Sequence, residues 1–285
     1  MNRVLPILTV LAALVAIWYA ATVMMNRAWV YDQAARADTE VSFAEMVPLT
    51  MDQERPVLPA PHQVVSELVK STLGTAPTSK RSLVYHGWIT LSATALGFVI
   101  GTVLGCLLAV GIVYNRAMDM SVLPWAIASQ MIPIIALAPM LTAILNTVGA
   151  SPLVTKAVIS AYLSFFPVVV GMVKGLRSPD AMQLDQLHTY AATGRQAFFK
   201  LRLPASMPYF FASAKVGIAA SLVGAIVAEL NQPAGLGARL LQGSYYGQTV
   251  QIWATLFLCA ILAALAVMVI AAVERGTLTR MGMAR

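Results

Sequence analysis

The chain carries six long blocks of apolar residues, joined by polar connections. Each block approaches the roughly 20 residues that an α-helix needs to cross a lipid bilayer. Only 11% of the residues are charged, whereas a typical soluble domain carries about 25%. Barrel strands would alternate over segments of about 10 residues, and these blocks do not alternate. The sequence therefore predicts an all-α, polytopic membrane protein. The six predicted spans are Val4–Met25, Trp88–Tyr114, Val122–Asn146, Val154–Lys174, Met207–Leu230 and Ile252–Val273.

The first block is predicted to be a retained anchor over residues 1–25. Its apolar run is longer than the stretch of about 7–15 residues found in secretory signal peptides. A cleaved signal peptide, with small residues Ala20 and Ala21 near the cleavage point, is the alternative.

Residues 26–87 form a polar segment that holds most of the acidic residues of the chain. The proline-rich piece Arg55–Pro61 is incompatible with regular helix. Beyond it, apolar residues recur at helical spacing, which predicts a short helix lying at the membrane interface. Those residues are Val64, Val65, Leu68, Val69 and Leu73.

Lys and Arg are denser in the connections that lie on the same side as the two termini. Positive residues favour the cytoplasmic side of a membrane, so both termini are predicted to be cytoplasmic and residues 26–87 periplasmic. The core then covers residues 88–275, with a cytoplasmic loop at 177–204 and a cytoplasmic tail at 276–285. The net charge of +7 is explained by this distribution, and no nucleic-acid partner is expected.

The loop 177–204 has helical character of its own. Thr193 and Gln196 have the spacing of a capping box, which predicts a second short helix over Gly194–Lys200, ended by Pro204. Two short surface helices suit either a docking surface for a soluble partner or a connector packed against its own bundle. The apolar residues that predict the first helix are Leu184, Leu187, Tyr190 and Ala191.

This loop resembles the cytoplasmic loop of the permease subunits of bacterial binding-protein-dependent ABC importers. The family pattern is Glu-Ala-Ala, three residues, Gly, nine residues, an aliphatic residue, any residue, then Leu-Pro. Anchored on Leu203–Pro204, the acidic position is Asp185 and the glycine position is Ala191. Gln186–Leu187 replace the Ala-Ala pair, and Gly194 lies three residues after the position at which the family has glycine.

Further stretches between residues 58 and 275 are similar to permeases of the nitrate, sulfonate and taurine group, whereas residues 26–54 have no counterpart in it. In order along the chain, they are Leu58–Val64, Gln130 with Pro133, Ala136–Pro139, Pro204–Tyr209, Ala228–Glu229 and Gly235–Gly237.

The resemblance implies a type I ABC importer permease in the bacterial inner membrane. Two copies would pair in the lipid to form the pathway, a cytoplasmic ATPase subunit would grip the loop, and a periplasmic solute-binding protein would deliver the solute. The solute would be a small anion, such as a sulfonate, nitrate or taurine, or a heterocyclic vitamin precursor. The loop residues implied in ATPase coupling are Asp185, Leu187, Tyr190, Ala191, Gly194, Arg195, Phe198, Leu203 and Pro204.

The chain itself is not expected to bind ATP. A phosphate-binding loop needs Gly-x-x-x-x-Gly-Lys-Ser/Thr, and the nearest segment, Gly74–Arg81, lacks the second glycine. The three histidines are far apart, so no metal, no cofactor and no enzymatic activity are expected. An ATP-independent secondary transporter or channel is the alternative function.

Gln130, Met131, Pro133 and Glu229 are the candidates for the translocation pathway. Polar groups and prolines within a span are costly unless they find partners or water. A packed helix kink is the alternative for the first three, and a bond to the loop at 231–237 is the alternative for Glu229. For Asp185, stabilising the start of its own helix is the alternative to an ATPase contact, and Lys215 is expected to reach towards the cytoplasm.

Overall fold

The structure is a computed structural model that describes residues 4–283. Within this range the chain is built from α-helices and contains no strand. The helices are α1 Val4–Arg36, α2 Phe43–Met51, α3 Pro61–Thr72, α4 Leu83–Tyr114, α5 Arg116–Ser129, α6 Ile134–Thr147, α7 Pro152–Leu176, α8 Ala181–Thr189, α9 Gly194–Ala197, α10 Leu203–Glu229, α11 Leu236–Tyr245 and α12 Thr249–Arg280.

Among residues 4–283, five helical stretches are long and apolar enough to cross a membrane, and the number rises to six if the bent pair α5 and α6 is one span. The predicted all-α, polytopic fold is therefore confirmed. The five stretches are Leu5–Arg36, Leu83–Tyr114, Pro152–Leu176, Gly194–Glu229 and Thr249–Arg280.

The third predicted span, Val122–Asn146, is wrong as a single continuous helix. The chain instead forms α5 and α6, which meet at an angle of 101° across residues 130–133. Proline has no N–H to bond the preceding turn, and it disfavours helical backbone in the residue before it. Pro133 takes an extended conformation, with φ −61° and ψ 120°, at the start of α6.

The prediction that Pro204 ends the second loop helix is also wrong. The turn Phe198–Arg202 is π-helical, and the N–H of Leu203 donates to the carbonyl of Phe198, five residues back. Proline is tolerated in the first turn of a helix, where its missing N–H needs no acceptor. Pro204 accordingly lies at the start of α10, and helical structure runs without a break from Gly194 to Glu229.

The chain divides into two compact units, of which the first comprises residues up to 86 together with 239–259. In this unit α1 continues to Arg36, eleven residues beyond the predicted anchor. The side chain of Asn26 is fully buried. Its Nδ2 donates to the carbonyls of Thr50 and Leu58, and its Oδ1 accepts from the N–H groups of Val57 and Leu58. The Asn26 side chain thus provides hydrogen-bond partners for backbone groups in the non-helical segment that precedes α3.

The predicted interfacial helix is present as α3, and the proline-rich piece before it is non-helical, as expected. The position of α3 relative to a membrane stays a prediction, as does the division of the chain at residues 25, 87 and 275.

The second unit comprises residues 87–238 and 260 onwards. Small residues let its helices approach closely, as is typical of membrane bundles. The face of Gly97, Gly101 and Gly105 on α4 packs directly against α7, because an added Cβ at each position would collide with atoms of that helix. A core of buried apolar side chains fills the other end of the same helix pair. Its buried members are Ala109, Ile112, Val168, Val169, Met172, Val173 and Leu176.

Candidate functional site

The predicted coupling loop is a pair of short helices on the surface of the second unit. Neither α8 nor α9 contains a buried residue. The predicted capping box at the start of α9 is confirmed. The N–H of Thr193 donates to Gln196 Oε1 over 2.8 Å, and the N–H of Gln196 donates back to Thr193 Oγ1 over 3.3 Å. These reciprocal bonds fix where the second helix begins.

Ala191 has a left-handed backbone conformation between the two helices, with φ 52°. A residue with a Cβ is strained there, whereas glycine is not. In the resemblance to importer permeases, Ala191 occupies the glycine position. The loop therefore makes the turn for which glycine is suited, although it carries alanine at that position.

The interpretation that Asp185 stabilises the start of its own helix is wrong. The helix begins at Ala181 and is capped by Asp180 and Gln183, so Asp185 lies beyond its first turn. The Asp185 carboxylate is exposed and makes no hydrogen bond or ion pair with any described residue. It is free to meet a charged group on another protein.

The apolar residues of the loop separate into two groups. Leu184 and Leu187 line a cavity of about 180 Å³ together with Tyr114 and Arg202. Tyr190 lies past the end of α8 and is 75% exposed, so the predicted single apolar face does not include it, nor does it include Ala191.

Other residues of the loop contact the neighbouring helices or one another. Arg202 Nη1 donates to the carbonyl of Leu176 at the end of α7 over 2.8 Å. The Phe198 ring contacts the Tyr114 ring edge-on, at 5.9 Å between centroids. The Arg195 guanidinium lies over the ring of Phe199, and the first turn of α10 contains Leu203 and Pro204.

The break between α5 and α6 brings together three of the predicted pathway residues. Gln130, Met131 and Pro133 all lie in it, and the Met131 side chain is 78% exposed. A helix broken within a bilayer must satisfy its freed backbone groups through neighbours or water. The carbonyl of Ser129 accepts from the N–H of Ile132 in the break and from the hydroxyl of Tyr162 on α7. The pathway assignment of these residues stays a prediction.

Glu229, the fourth predicted pathway residue, lies apart from this break in a buried polar cluster. It has no exposed surface. Its carboxylate accepts from Thr90 Oγ1 over 2.7 Å, from the N–H of Gly237 over 3.1 Å and from Lys156 Nζ over 3.4 Å. Glu229 thus bonds the loop at 231–237, as the alternative interpretation predicted. A role for Glu229 in the translocation pathway stays a prediction.

The same cluster holds the loop that follows α10. Lys156 also donates to the carbonyl of Ala234 over 2.8 Å, and the N–H of Leu236 donates to Thr90 Oγ1 over 2.9 Å. A Cβ on Gly235 or Gly237 would collide with Glu229. The two glycines are therefore required for the close approach of this loop to the carboxylate.

The sequence reasoning missed Lys156, which is buried in the first turns of α7. The available signal was a lysine inside a predicted span, where an ionisable residue needs a partner. The Lys215 ammonium pairs with Glu274 of α12, at 2.5 Å between Nζ and Oε2. Its expected reach towards the cytoplasm stays a prediction.

Among residues 4–283, no group of three or more His, Cys, Asp or Glu side chains could hold a metal ion. The described chain combines a surface loop of two short helices, a bent pair of helices and several long apolar helices.

Residues 101–276 match the family described as the binding-protein-dependent transport system inner membrane component. The chain belongs to this family. Its resemblance to ABC importer permeases is confirmed, and so is the type I permease fold. An ABC permease is a transport protein rather than an enzyme, and the family has no cofactor of its own.

Named relatives of this ABC permease agree on the class of transporter. The formylaminopyrimidine transport permease protein ThiX of Halalkalibacterium halodurans is 30% identical over 209 residues, which cover 72% of this chain and 78% of that protein. The riboflavin transport system permease protein RibX of Chloroflexus aurantiacus is 28% identical and covers 54% of this chain and 56% of its own length. The putative aliphatic sulfonates transport permease protein SsuC of Bacillus subtilis is 24% identical and covers 62% of this chain and 63% of its own length.

Membership of this family indicates where the ABC permease lies and what kinds of protein it works with. It is a multi-pass membrane protein of an ABC transporter, and its family implies two kinds of partner, an ATPase and a substrate-binding protein.

Proposed function

We propose that this permease forms the solute pathway of an ATP-driven importer of the bacterial inner membrane and is driven by a separate ATPase through residues 177–204. The observation that carries the proposal is the exposed pair of helices α8 and α9, continuous through a π-helical turn with the long helix α10. A movement imposed on this pair would be passed directly to α10. Residues that face outwards, such as Asp185, Tyr190 and Arg195, would form the contact.

The proposed orientation has residues 177–204 and both termini in the cytoplasm. The density of Lys and Arg around this loop supports it. The ATPase would bind on this side, and a periplasmic solute-binding protein would bind on the other.

Two copies of the permease would pair to complete the pathway. The apolar surface around the break between α5 and α6 supports this arrangement, because the described chain leaves large side chains there mostly exposed. Trp125, Met131 and Ile135 are 76%, 78% and 70% exposed. Gln130 and Pro133 would then lie near the pathway between the copies.

The proposed solute is a heterocyclic vitamin precursor or a small anion of the sulfonate, nitrate or taurine type. The names of the three relatives, which refer to formylaminopyrimidine, riboflavin and aliphatic sulfonates, support this range.

The alternative, an ATP-independent secondary transporter, finds less support. Ion-coupled carriers keep ionisable groups near the bilayer midplane, within reach of the coupling ion. Here Glu229 is closed off by Thr90, Gly237 and Lys156, and Lys215 is paired with Glu274.

Uptake by cells that express the full transporter tests the proposal. Radiolabelled formylaminopyrimidine, riboflavin and taurine would be offered in turn. We expect uptake of one of them to stop when ATP is depleted and to persist when an ionophore dissipates the ion gradients. Uptake that follows the ion gradients instead would contradict ATP coupling and favour the secondary transporter.

A further inference from the structure

An open cavity of about 490 Å³ lies where α5, α7 and α10 meet, beside the start of the coupling loop. One wall is apolar and is formed by Leu123, Val170 and Val173. The other side is polar and contains Lys174 and Arg177. The same cavity thus offers both an apolar surface and positive charge.

Lys174 is a cation without an anionic partner. Its side chain is exposed, and its ammonium lies 5.9 Å from the centre of the Tyr209 ring. No carboxylate within residues 4–283 forms an ion pair with it, and no described residue accepts a hydrogen bond from it. All three N–H donors of the ammonium are therefore available to a ligand.

Arg177 contributes hydrogen-bond donors but little net charge. Its Nη2 lies 2.8 Å from Oδ2 of Asp119, so the two charges offset each other. The guanidinium carries five N–H donors in a fixed plane, and this contact uses only part of them. The polar side of the cavity therefore carries a net charge of one positive unit, supplied by Lys174.

We propose that this cavity binds one anionic phospholipid. The phosphate lies against the Lys174 ammonium and the remaining N–H groups of Arg177, and the first acyl carbons lie against Leu123 and Val170. A single negative charge matches the single positive charge of the cavity. Basic pockets between transmembrane helices at the level of the headgroups are suited to such lipids. The inference depends on a membrane setting and not on the identity of the ATPase or the solute.

Two other occupants fit the cavity less well. A small soluble anion would pair with Lys174 but would leave the apolar wall of Val170 and Leu123 in water. A second copy of the permease would have to place a carboxylate opposite Lys174. The lipid satisfies the charge and covers the wall at once.

Lipid titration of the purified, detergent-solubilised permease by native mass spectrometry tests the site. Phosphatidylglycerol would be compared with phosphatidylcholine of identical acyl chains, and with glycerol phosphate as the soluble headgroup. The variants would be Lys174→Gln, Lys174→Arg as the charge-retaining control, and Lys200→Gln, which removes an exposed positive charge outside the cavity. We expect phosphatidylglycerol to bind in preference to phosphatidylcholine, and Lys174→Gln to weaken that binding by about fivefold, equivalent to about 1 kcal/mol.

Retained preference in Lys174→Arg and Lys200→Gln, with loss in Lys174→Gln, would support the proposal. Equal binding of the two lipids to the wild-type protein would overturn it, as would an unchanged preference in Lys174→Gln. Binding of glycerol phosphate alone with wild-type affinity would overturn it in favour of a soluble anion. Disulfide cross-linking of two copies through Val170→Cys in native membranes would overturn it in favour of a permease–permease contact.

Discussion

Among single residues, Glu229 and Lys156 carry opposite charges at buried positions. The exposed fractions of their side chains are 0% and 5%. Removing one partner of a buried ion pair leaves an uncompensated charge and costs about 3–5 kcal/mol. Removing both charges avoids that cost.

We therefore expect Lys156→Met and Glu229→Gln each to lower stability by about 3–5 kcal/mol, and the double variant to lose less than either. The glutamine side chain keeps an oxygen for Thr90 and Gly237, so the double variant loses the bond from Lys156 to the Ala234 carbonyl but leaves no unpaired charge. Thermal unfolding of the four proteins in the same detergent measures the coupling. Additive losses in the double variant would show that the two charges do not depend on each other.

A second prediction concerns the left-handed Ala191. Left-handed backbone costs a residue with a Cβ roughly 1–2 kcal/mol, so Ala191→Gly should raise the stability of the loop by about 1 kcal/mol. Ala192→Gly, next to it, relieves no such strain and should be neutral or slightly destabilising. Hydrogen exchange of the α8 amides reports local stability. Equal effects of the two substitutions on exchange would show that the backbone of Ala191 is not strained.

Residue patterns predicted local contacts better than distant ones. Thr193 and Gln196 lie three residues apart, so their capping box was readable from the sequence. Lys156 and Glu229 lie far apart along the chain and meet only when α7 and α10 pack. Glu229 was recognised as a charge near the end of a span, but no local signal paired it with Lys156.

At the scale of helices, the close contact of α4 and α7 depends on glycine. A Cβ on Gly101 would lie 2.9 Å from the carbonyl oxygen of Ala161, as well as against Ser164 Oγ. Backbone atoms cannot move aside cheaply, so Gly101→Ala should cost about 1–3 kcal/mol through overpacking. At Gly276 on α12, an added Cβ would meet no described atom within 4 Å apart from its neighbours and the backbone of its own helix. Gly276→Ala is therefore the control, and thermal unfolding should show it to be neutral or slightly stabilising.

The bend between α5 and α6 depends in part on one hydroxyl from α7. Tyr162→Phe removes the donor to the Ser129 carbonyl, and we expect a loss of about 1 kcal/mol. The hydroxyl of Tyr209 makes no hydrogen bond to any described residue, so Tyr209→Phe is the control. If the two variants unfold at the same temperature, the Tyr162 bond does not stabilise the bend.

The helices were predicted correctly where the length of an apolar block determines them. They were predicted incorrectly where a proline and its backbone hydrogen bonding determine whether a helix ends. The long apolar blocks predicted α1, α4, α7, α10 and α12 because length and apolarity are local properties. Pro133 and Pro204 are both helix-breaking residues by type. Pro133 breaks its helix, whereas Pro204 does not, because the π-helical turn before it brings the proline to a position that needs no N–H donor.

At the scale of the whole molecule, the family could be recognised from the sequence because its loop is a continuous segment. Asp185, Ala191 and Leu203–Pro204 keep their spacing although two of the residues differ from the family pattern. At one of these positions the backbone keeps the conformation suited to glycine, although the residue is Ala191. The solute cannot be identified from the sequence in the same way, because no residue of the described chain is specific for one chemical class of solute.

We have proposed that residues 177–204 bind an ATPase. Co-purification of the ATPase with the tagged permease measures this contact, using the double variant Asp185→Arg with Tyr190→Ala. Both side chains are exposed and make no side-chain contact within the described chain, so the fold should be unaffected. The control is Glu54→Arg with Tyr245→Ala, which likewise replaces one carboxylate by arginine and one tyrosine by alanine at exposed positions outside the loop.

We expect the wild-type and control proteins to retain the ATPase, and the loop variant to lose it while keeping its gel-filtration profile and membrane insertion. Retention of the ATPase by the loop variant at the wild-type level would contradict the claim, as would the absence of an ATPase from the wild-type preparation.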